Sequence, residues 1–433
     1  MKQKLLWAAI LLTTLPFFLF VDKPNSWALT PENYHSIALY FSAAFGYIGV
    51  SLLVWELILG TRAIAGLFFE DLVSKLWAHR KLGTYGVLLI FLHPILITYS
   101  YGETIFYSVV LRRSTEFEEA VTYGRLAFLA LLIIWFTSAV VKSKIAYRSW
   151  KYIHYLAYPI LLASFLHVPD VGSSFNGRAI QFFWYSFILV SIICVVLRAR
   201  HLFGFGKLSF TVVGVKKLSE EVTLFRRKPT QAAVEIRTGQ YVYIQRSLVG
   251  EEHPFTVLDH DEKTGEIVIA FKKFGNFSKK LADITKDEIV HVDGPYGVFT
   301  RERLINPEKP AVYIAGGIGI TPFVKHSLAQ PADKQKMFYA NKTRHTAVFR
   351  DILQSHLGNN FIDIFSRETP KKDKVANQEC GYLRKDIIEK YIEHPLKYDY
   401  FICGPKGMMD AAKESLMELK VPLKQIHIEE FGF

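Results

Sequence analysis

At 433 residues the chain exceeds one ordinary domain, and Cys194, Cys380 and Cys403 are too scattered for a disulfide framework or a metal-binding spacing. Half of the residues are hydrophobic, yet nearly all the long apolar runs lie in the first 200 residues, which excludes a uniformly soluble protein. The net charge of +12 does not point to nucleic acid, because Lys and Arg gather beside the apolar runs, as an anionic cytoplasmic leaflet favours.

Six membrane spans are predicted, over about 5–21, 36–60, 79–98, 122–141, 152–168 and 179–198. The first also resembles a signal peptide, with Met-Lys-Gln-Lys ahead of a 17-residue apolar run. The lack of a convincing small-residue cleavage site before Trp27-Ala28 favours a retained helix. Basic residues set the orientation. Lys2 and Lys4 precede span one, Arg62 and Lys75 separate spans two and three, and Lys142, Lys144, Arg148 and Lys151 separate four and five. Arg198 and Arg200 follow span six. These ends share one side, expected to be cytoplasmic together with the N-terminus and the soluble C-terminal half, and the expected location is the plasma membrane. The opposite loops carry Glu103, Glu116, Glu118, Glu119 and Asp170, with Arg112, Arg113 and Arg178 as their notable cations.

Within the spans, His79 and His93 are 14 residues apart, and His154 and His167 are 13 apart. Each spacing covers about 20 Å of helix axis. With spans three and five running in the same direction, His79 faces His154 at the inner level and His93 faces His167 at the outer one. Ionisable groups at membrane depth are costly and usually functional. Two histidine pairs, one above the other, are the ligand set for two stacked bis-histidine hemes. On an ideal helix 14 steps return to within about 40° of one face, whereas 13 steps leave about 140°. Pro159, between His154 and His167, is expected to kink the fifth span so that both rings turn inward.

After Arg200 the alternating runs Leu208–Val215, Gln240–Gln245, Ile267–Phe271 and Glu288–Val292 predict a small antiparallel barrel over about 206–304. Inside it lie His253-Pro254-Phe255-Thr256, Phe274-Gly275-Asn276-Phe277-Ser278 with Lys279 and Lys280, and Asp293-Gly-Pro-Tyr-Gly297. An extended His-Pro-Phe-Thr strand offers a hydroxyl and amides to an isoalloxazine edge, and the Gly-Asn-Phe-Ser turn offers unpaired N–H groups to a pyrophosphate. From about 308, strands and helices alternate. Ala311–Ala315 runs into Gly316-Gly317-Ile-Gly319-Ile-Thr321-Pro322, a strand, glycine turn and helix start with Pro322 expected in the first helical turn. Lys336–Ala340 leads to Arg344, Phe361–Phe365 to Ser366-Arg367, and Tyr398–Ile402 to Cys403-Gly404-Pro405. Ligands gather at the carboxyl ends of such strands, and Ser366 with Arg367 suits a nucleotide 2′-phosphate.

The paired membrane histidines, His-Pro-Phe-Thr, Gly-Gly-Ile-Gly-Ile-Thr-Pro, Cys-Gly-Pro and the C-terminal aromatic together resemble a bacterial member of the NADPH oxidase and ferric reductase family, over nearly the whole sequence. The resemblance implies three domains: a six-helix transmembrane di-heme domain over 1–203, an FAD-binding β-barrel over 204–305, and an α/β NAD(P)H-binding domain over 306–433, the last two like ferredoxin-NADP reductase. It implies that His253 to Thr256 hold FAD, with Thr256 near the reactive flavin edge. It further implies that Gly316 to Pro322 take the nucleotide pyrophosphate, that Cys403 and Gly404 lie near the nicotinamide, and that Phe433 shields the flavin. The expected activity is transfer of electrons from cytosolic NADPH, or NADH, through FAD and two hemes b to external dioxygen, producing superoxide, with no obligate protein partner. A ferric chelate is the alternative acceptor, and a heme-bearing membrane carrier or sensor with a regulatory soluble half is a reading of another class. Arg112, Arg113 and Arg178 are candidates for stabilising a developing superoxide anion.

Overall fold

The computed structural model describes residues 2–69, 72–142, 144–172, 175, 177–230, 235–237, 239–248, 250–299, 308–368 and 377–429. The chain divides into two compact units, Met1–Ala199 and Arg200–Phe433.

The first unit is helical: α1 (Lys2–Phe20), α2 (Pro31–Gly60), α3 (Arg62–Phe68), α4 (Leu72–Ser100), α5 (Glu116–Ala139), α6 (Tyr147–His154), α7 (Ala157–Val171) and α8 (Arg178–Leu202). Among the described residues four helices, Pro31–Gly60, Ser74–Ser100, Glu116–Ala139 and Arg178–Leu202, are each long and apolar enough to cross a membrane, and Lys4–Phe20 is a shorter apolar helix. The polarity is that of a membrane bundle. Leu12, Leu88, Ile133, Leu162, Phe182 and Leu189 stand exposed, while Ser42, Ser51, Thr98, Thr122 and Arg125 are buried inside. Most of these inner polar groups find partners within the bundle, as the apolar phase requires: Ser51 Oγ donates to Thr13 Oγ1 (3.3 Å) and Thr98 Oγ1 to the Pro94 carbonyl (2.8 Å). Glycines bring α2 and α4 together. A Cβ at Gly49 would lie 2.5 Å from Ile90 Cγ1, and one at Gly86 3.3 Å from Leu52 Cβ. Three glutamates occupy the first turn of α5, where Thr115 accepts from the Glu118 amide (3.2 Å).

The fifth span is two helices. The chain turns at Tyr155 and Leu156, and Pro159 falls in the first turn of α7. There the missing N–H costs nothing, so the helix breaks ahead of the proline instead of kinking at it.

The second unit opens with a closed barrel of strand order β1-β2-β5-β4-β3-β6, made from β1 (Leu208–Lys217), β2 (Val222–Pro229), β3 (Tyr241–Gln245), β4 (Glu252–His260), β5 (Ile267–Lys272) and β6 (Ile289–Tyr296). Phe210, Val212, Phe225, Ile244, Ile269 and Val292 fill it. Strand β2 escapes sequence patterning because Arg226 and Arg227 interrupt its alternation. Arg227 is nevertheless wholly buried, its guanidinium 4.7 Å from the Phe225 ring centre, and burial pushes its pKa down to about 9. In β4, residues 252–256 pair with β3, whereas the ladder to β5 begins at Val257. Pro254 therefore removes no ladder bond, and the outer edge of His253–Thr256 forms no ladder among the described strands.

A parallel sheet follows, of order β10-β9-β8-β7-β11-β12, from β7 (Ala311–Gly316), β8 (Gln335–Asn341), β9 (Phe361–Phe365), β10 (Gln378–Cys380), β11 (Asp399–Cys403) and β12 (Ile426–Glu429). Val324 of α10 (Val324–Leu328) and Leu353 of α11 (Arg350–Leu357) cover one face with Tyr313 and Tyr339. Ile387 of α12 (Lys385–Tyr391) and Leu416 of α13 (Lys406–Glu418) cover the other with Ile314 and Ile402. Strand order runs outward from β7 in both directions, so the topological switch point lies between β7 and β11, where Ala315 pairs with Cys403. The expected helix start at Pro322 is displaced. Gly317–Ile320 forms a 3-10 turn, and α10 begins only at Val324. The reason is packing: a Cβ at Gly319 would enter the Cys403 carbonyl, and one at Gly404 would lie 2.9 Å from the Gly316 nitrogen.

That contact predicts a stability difference within one loop pair. Gly319→Ala overpacks it and costs about 1–3 kcal/mol. Gly407→Ala, where a Cβ meets nothing within 4 Å, is neutral or slightly stabilising. Thermal release of flavin fluorescence from the full chain in detergent measures both; equal midpoints for the two variants would refute the packing role.

Candidate functional site

In the helical unit the structure brings together the four histidines that lie 13 or 14 residues apart in sequence. The ring centres of His93 and His167 are 6.4 Å apart, and those of His79 and His154 6.1 Å. A metal held between two imidazoles by bonds of about 2 Å sets the ring centres about 6 Å apart. The outer nitrogens are anchored. His93 Nδ1 lies 2.8 Å from the Ser42 carbonyl and 3.1 Å from Ser42 Oγ, and His167 Nδ1 lies 2.9 Å from the Ala120 carbonyl. A proton on Nδ1 donates to the carbonyl and leaves Nε2 as the ligand atom. At the inner level His79 Nδ1 pairs with the Glu56 carboxylate. His154 instead stacks on Trp150, with ring centres 5.0 Å apart, and its Nδ1 has no hydrogen bond.

Two glycines make the close approach possible. A Cβ at Gly46 would lie 3.0 Å from His93 Nδ1, and one at Gly124 would lie 2.8 Å from the His167 ring. Around the outer pair is a cavity of about 450 Å³ whose lining includes Val50, Ile90, Phe128, Leu131, Trp184 and Arg125. These residues fit a flat, largely apolar iron porphyrin ligated from both sides. Arg112, Arg113 and Arg178 line no part of this cavity. All three are exposed, and Arg112 lies 3.9 Å from Glu118. Sequence reasoning missed Ser42, Gly46, Glu56, Gly124 and Arg125. A signal existed for two of them, since Glu56 and Arg125 are charged residues within apolar spans.

In the second unit His253 stacks on Phe277, ring centres 4.3 Å apart, and Phe255 lies 6.2 Å from the same ring. Thr256 is buried opposite Tyr241. Gly275 opens α9 (Asn276–Ala282), and a Cβ there would meet nothing within 4 Å. Ser278 differs from expectation. Its Oγ accepts from the Phe274 and Gly275 amides (2.9 and 3.0 Å), so it caps the turn and occupies two of the amides expected to be free for a pyrophosphate.

At the switch point Gly317 has φ +54°, and a Cβ there would meet nothing within 4 Å, which leaves its backbone approachable. Thr321 Oγ1 is spent within the turn, donating to the Ile318 carbonyl (3.0 Å). Cys403 is buried at the adjoining strand end, with Gly404 and Pro405 following, and burial with the Glu429 carboxylate pushes its thiol well above the usual range. The ends of β8 and β9 are tied by Ser366 N to the Asn341 carbonyl (3.0 Å) and Arg367 N to the Lys342 carbonyl (2.9 Å). The recess there, about 540 Å³, is lined by Arg344, Arg350 and Glu368 but not by Arg367, which is exposed. Phe433 lies outside the described residues.

Two substitutions test these placements. Gly124→Ala pushes on the His167 ring and should lower the content of the outer metal site at least severalfold, read from the b-type absorbance per flavin; unchanged stoichiometry counts against the outer pair as ligands. Arg367→Ala should reduce the preference for NADPH over NADH about tenfold, the scale of one charge-assisted contact. An unchanged ratio assigns the phosphate elsewhere, with Arg344 next in line.

Residues 45–165 match the family described as ferric reductase like transmembrane component, residues 205–351 an FAD-binding domain, and residues 313–414 an oxidoreductase NAD-binding domain. A flavohemoprotein of Burkholderia sp. (strain TH2) is 29% identical over 237 residues, which cover 52% of this chain and 60% of that protein. An NADH-cytochrome b5 reductase of Cryptococcus neoformans is 26% identical over 236 residues, 49% of this chain and 79% of that one. The chain thus spans about three-fifths of the flavohemoprotein it resembles. Among solved structures, a Malassezia yamatoensis flavohemoglobin covers 75% of this chain and 90% of its own, with TM-score 0.48 and 20% identity. A ferredoxin NADP+ reductase from Neisseria gonorrhoeae covers 52% of this chain and 99% of its own, with TM-score 0.45 and 15% identity. At these scores the superpositions add nothing to the strand orders above. With a ferric-reductase-like transmembrane component followed by FAD-binding and oxidoreductase NAD-binding domains, the chain has the architecture of the NADPH oxidase and ferric reductase family.

Proposed function

We propose that the protein carries electrons from NADPH on the cytoplasmic side of the plasma membrane to dioxygen on the outside, releasing superoxide. The observation that carries this reading is the pair of histidine couples at 6.1 and 6.4 Å, three of the four rings anchored through Nδ1. In it residues 1–203 form the di-heme membrane domain, 204–305 the FAD domain and 306–433 the nucleotide domain.

His79 with His154 and His93 with His167 hold the two hemes. Glu56, the Ser42 carbonyl and the Ala120 carbonyl fix the ring tautomers and orientations. His253 to Thr256 present the open edge of β4 to the flavin, with Gly275, Asn276 and Ser278 shaping the turn near its phosphates. Gly316, Gly317, Gly319, Thr321 and Pro322 shape the nucleotide loop, with Arg344, Ser366 and Arg367 at the adenosine end and Cys403, Gly404 and Pro405 at the nicotinamide end. The resemblance assigns Phe433, which lies outside the described residues, to shielding the flavin. When bound, the flavin would supply conversion of a hydride into single electrons, and iron held by the His79/His154 and His93/His167 pairs would supply one-electron transfer. The positive-inside bias supports the orientation.

Purified protein supplied with FAD and NADPH should show reduction of its heme Soret band, and superoxide-dismutase-sensitive reduction of cytochrome c. His93→Leu should abolish external reduction while flavin reduction survives. A signal insensitive to dismutase, with ferric chelate reduction intact under nitrogen, would instead establish a ferric reductase. No Soret change at all would leave only a carrier or sensor.

A further inference from the structure

Arg125 sits in α5, 4% exposed, at the wall of the cavity that holds His93 and His167. All three guanidinium nitrogens, Nε, Nη1 and Nη2, are buried without a hydrogen-bond partner among the described residues. Its one close contact of note is the Tyr107 ring, 4.3 Å from Cζ, which covers a face of the guanidinium but none of its in-plane donors. Glu119, the acid nearest in sequence on that helix, accepts from the Tyr123 hydroxyl (2.9 Å), and Glu118 accepts from Ser114 and lies 3.9 Å from Arg112. Among the described residues no carboxylate comes within ion-pair distance of Arg125.

A permanently charged, planar donor set at membrane depth without an anion is strongly disfavoured. Glu103, a carboxylate of the cavity lining, is exposed and makes no ion pair with Arg125 among the described residues, so the anion must be one that the cavity admits. Ser108 Oγ and Trp184 Nε1 line the same cavity, buried and equally without partners, so three separate side chains offer it donors. Arg125 also follows directly on Gly124, the residue against which the His167 ring packs. Whatever is clasped between His93 and His167 thus meets the wall that carries Arg125.

We infer that Arg125 binds a carboxylate side arm of the macrocycle held between His93 and His167, as a bidentate pair, with Ser108 as a further donor to that macrocycle's acidic edge. Arg125 is a positioning residue: it sets the rotation of the ring about the axis joining the two imidazoles. This rests on the heme reading above and adds which residue recognises the porphyrin's acid.

The test is a cycle on the purified full chain, with native heme or its dimethyl ester reconstituted, read as the rate of outer-heme loss to an excess of apomyoglobin. With native heme, Arg125→Gln should accelerate loss about tenfold or more, the scale of a charge-assisted hydrogen-bonded pair, and Arg125→Lys should recover part of it. With the dimethyl ester, wild type and Arg125→Gln should lose the outer macrocycle at the same rate. The resonance Raman propionate-bending band should shift in the variant with native heme. Equal acceleration by Arg125→Gln with both porphyrins, or no acceleration with either, would overturn the assignment. So would an unmoved propionate band accompanied by a fall in superoxide formation alone, which would make the acceptor the partner of Arg125. Should Arg125→Gln fail to fold, wild-type protein decides: native heme must leave about tenfold more slowly than its dimethyl ester. A wild-type protein with no bis-imidazole heme spectrum would overturn the underlying reading instead, and that is seen before any variant is made.

Discussion

The helical half depends on one interaction: three of its four paired imidazoles have Nδ1 held by an acceptor on a neighbouring helix, and the fourth, His154, is held by a stack on Trp150 instead. His93 finds Ser42 on α2, His167 finds Ala120 on α5, and His79 finds Glu56 on α2. Each bond fixes one nitrogen and thereby aims the other at the facing ring. Such bonds need close helices, which is where Gly46 and Gly124 enter. Removing side chains at those points lets a histidine ring lie against the backbone opposite, an arrangement any larger residue would prevent. The outer couple is consequently held by backbone carbonyls, which do not titrate, whereas the inner one leans on a carboxylate and on a stack with Trp150.

The second unit exposes backbone where a ligand needs it. In the barrel, β4 changes partner part-way along, pairing with β3 up to Thr256 and with β5 from Val257. The edge so created, with no ladder to another described strand, carries Pro254, the one residue type that has no N–H to lose there. In the sheet, reversal of strand order between β7 and β11 opens a crevice, and the glycines beside it serve two ends. Gly316, Gly319 and Gly404 let two loops interlock, while Gly317 leaves open space in front of its backbone.

Much of this is legible in the sequence, and the failures have a common cause. Apolar runs, histidine spacing and strand-end motifs are local patterns, and the chain alone places each of them. Strand β2 escapes, because the buried Arg227 breaks the alternation that marks a strand. The short strands β10 and β12, of three and four residues, exist by pairing with longer neighbours and carry no periodicity of their own. The helix expected at Pro322 begins later because Gly319 is committed to a contact with Cys403, from which three strands and three α-helices of the described residues separate it in sequence.

The sequence by itself determined where the membrane helices run, which histidines share a level, and which motifs end the strands, because hydropathy and spacing act over a few turns of chain. Tertiary structure alone decided that Tyr155 and Leu156 break the fifth span, that Ser42, Glu56 and Ala120 orient the rings, and that Arg125, not Arg112 or Arg113, faces the cavity. Those outcomes join residues 47 or 51 positions apart, as in the bonds of His167 and His93. Contacts of that range follow from helices packing against one another, and no local pattern encodes them.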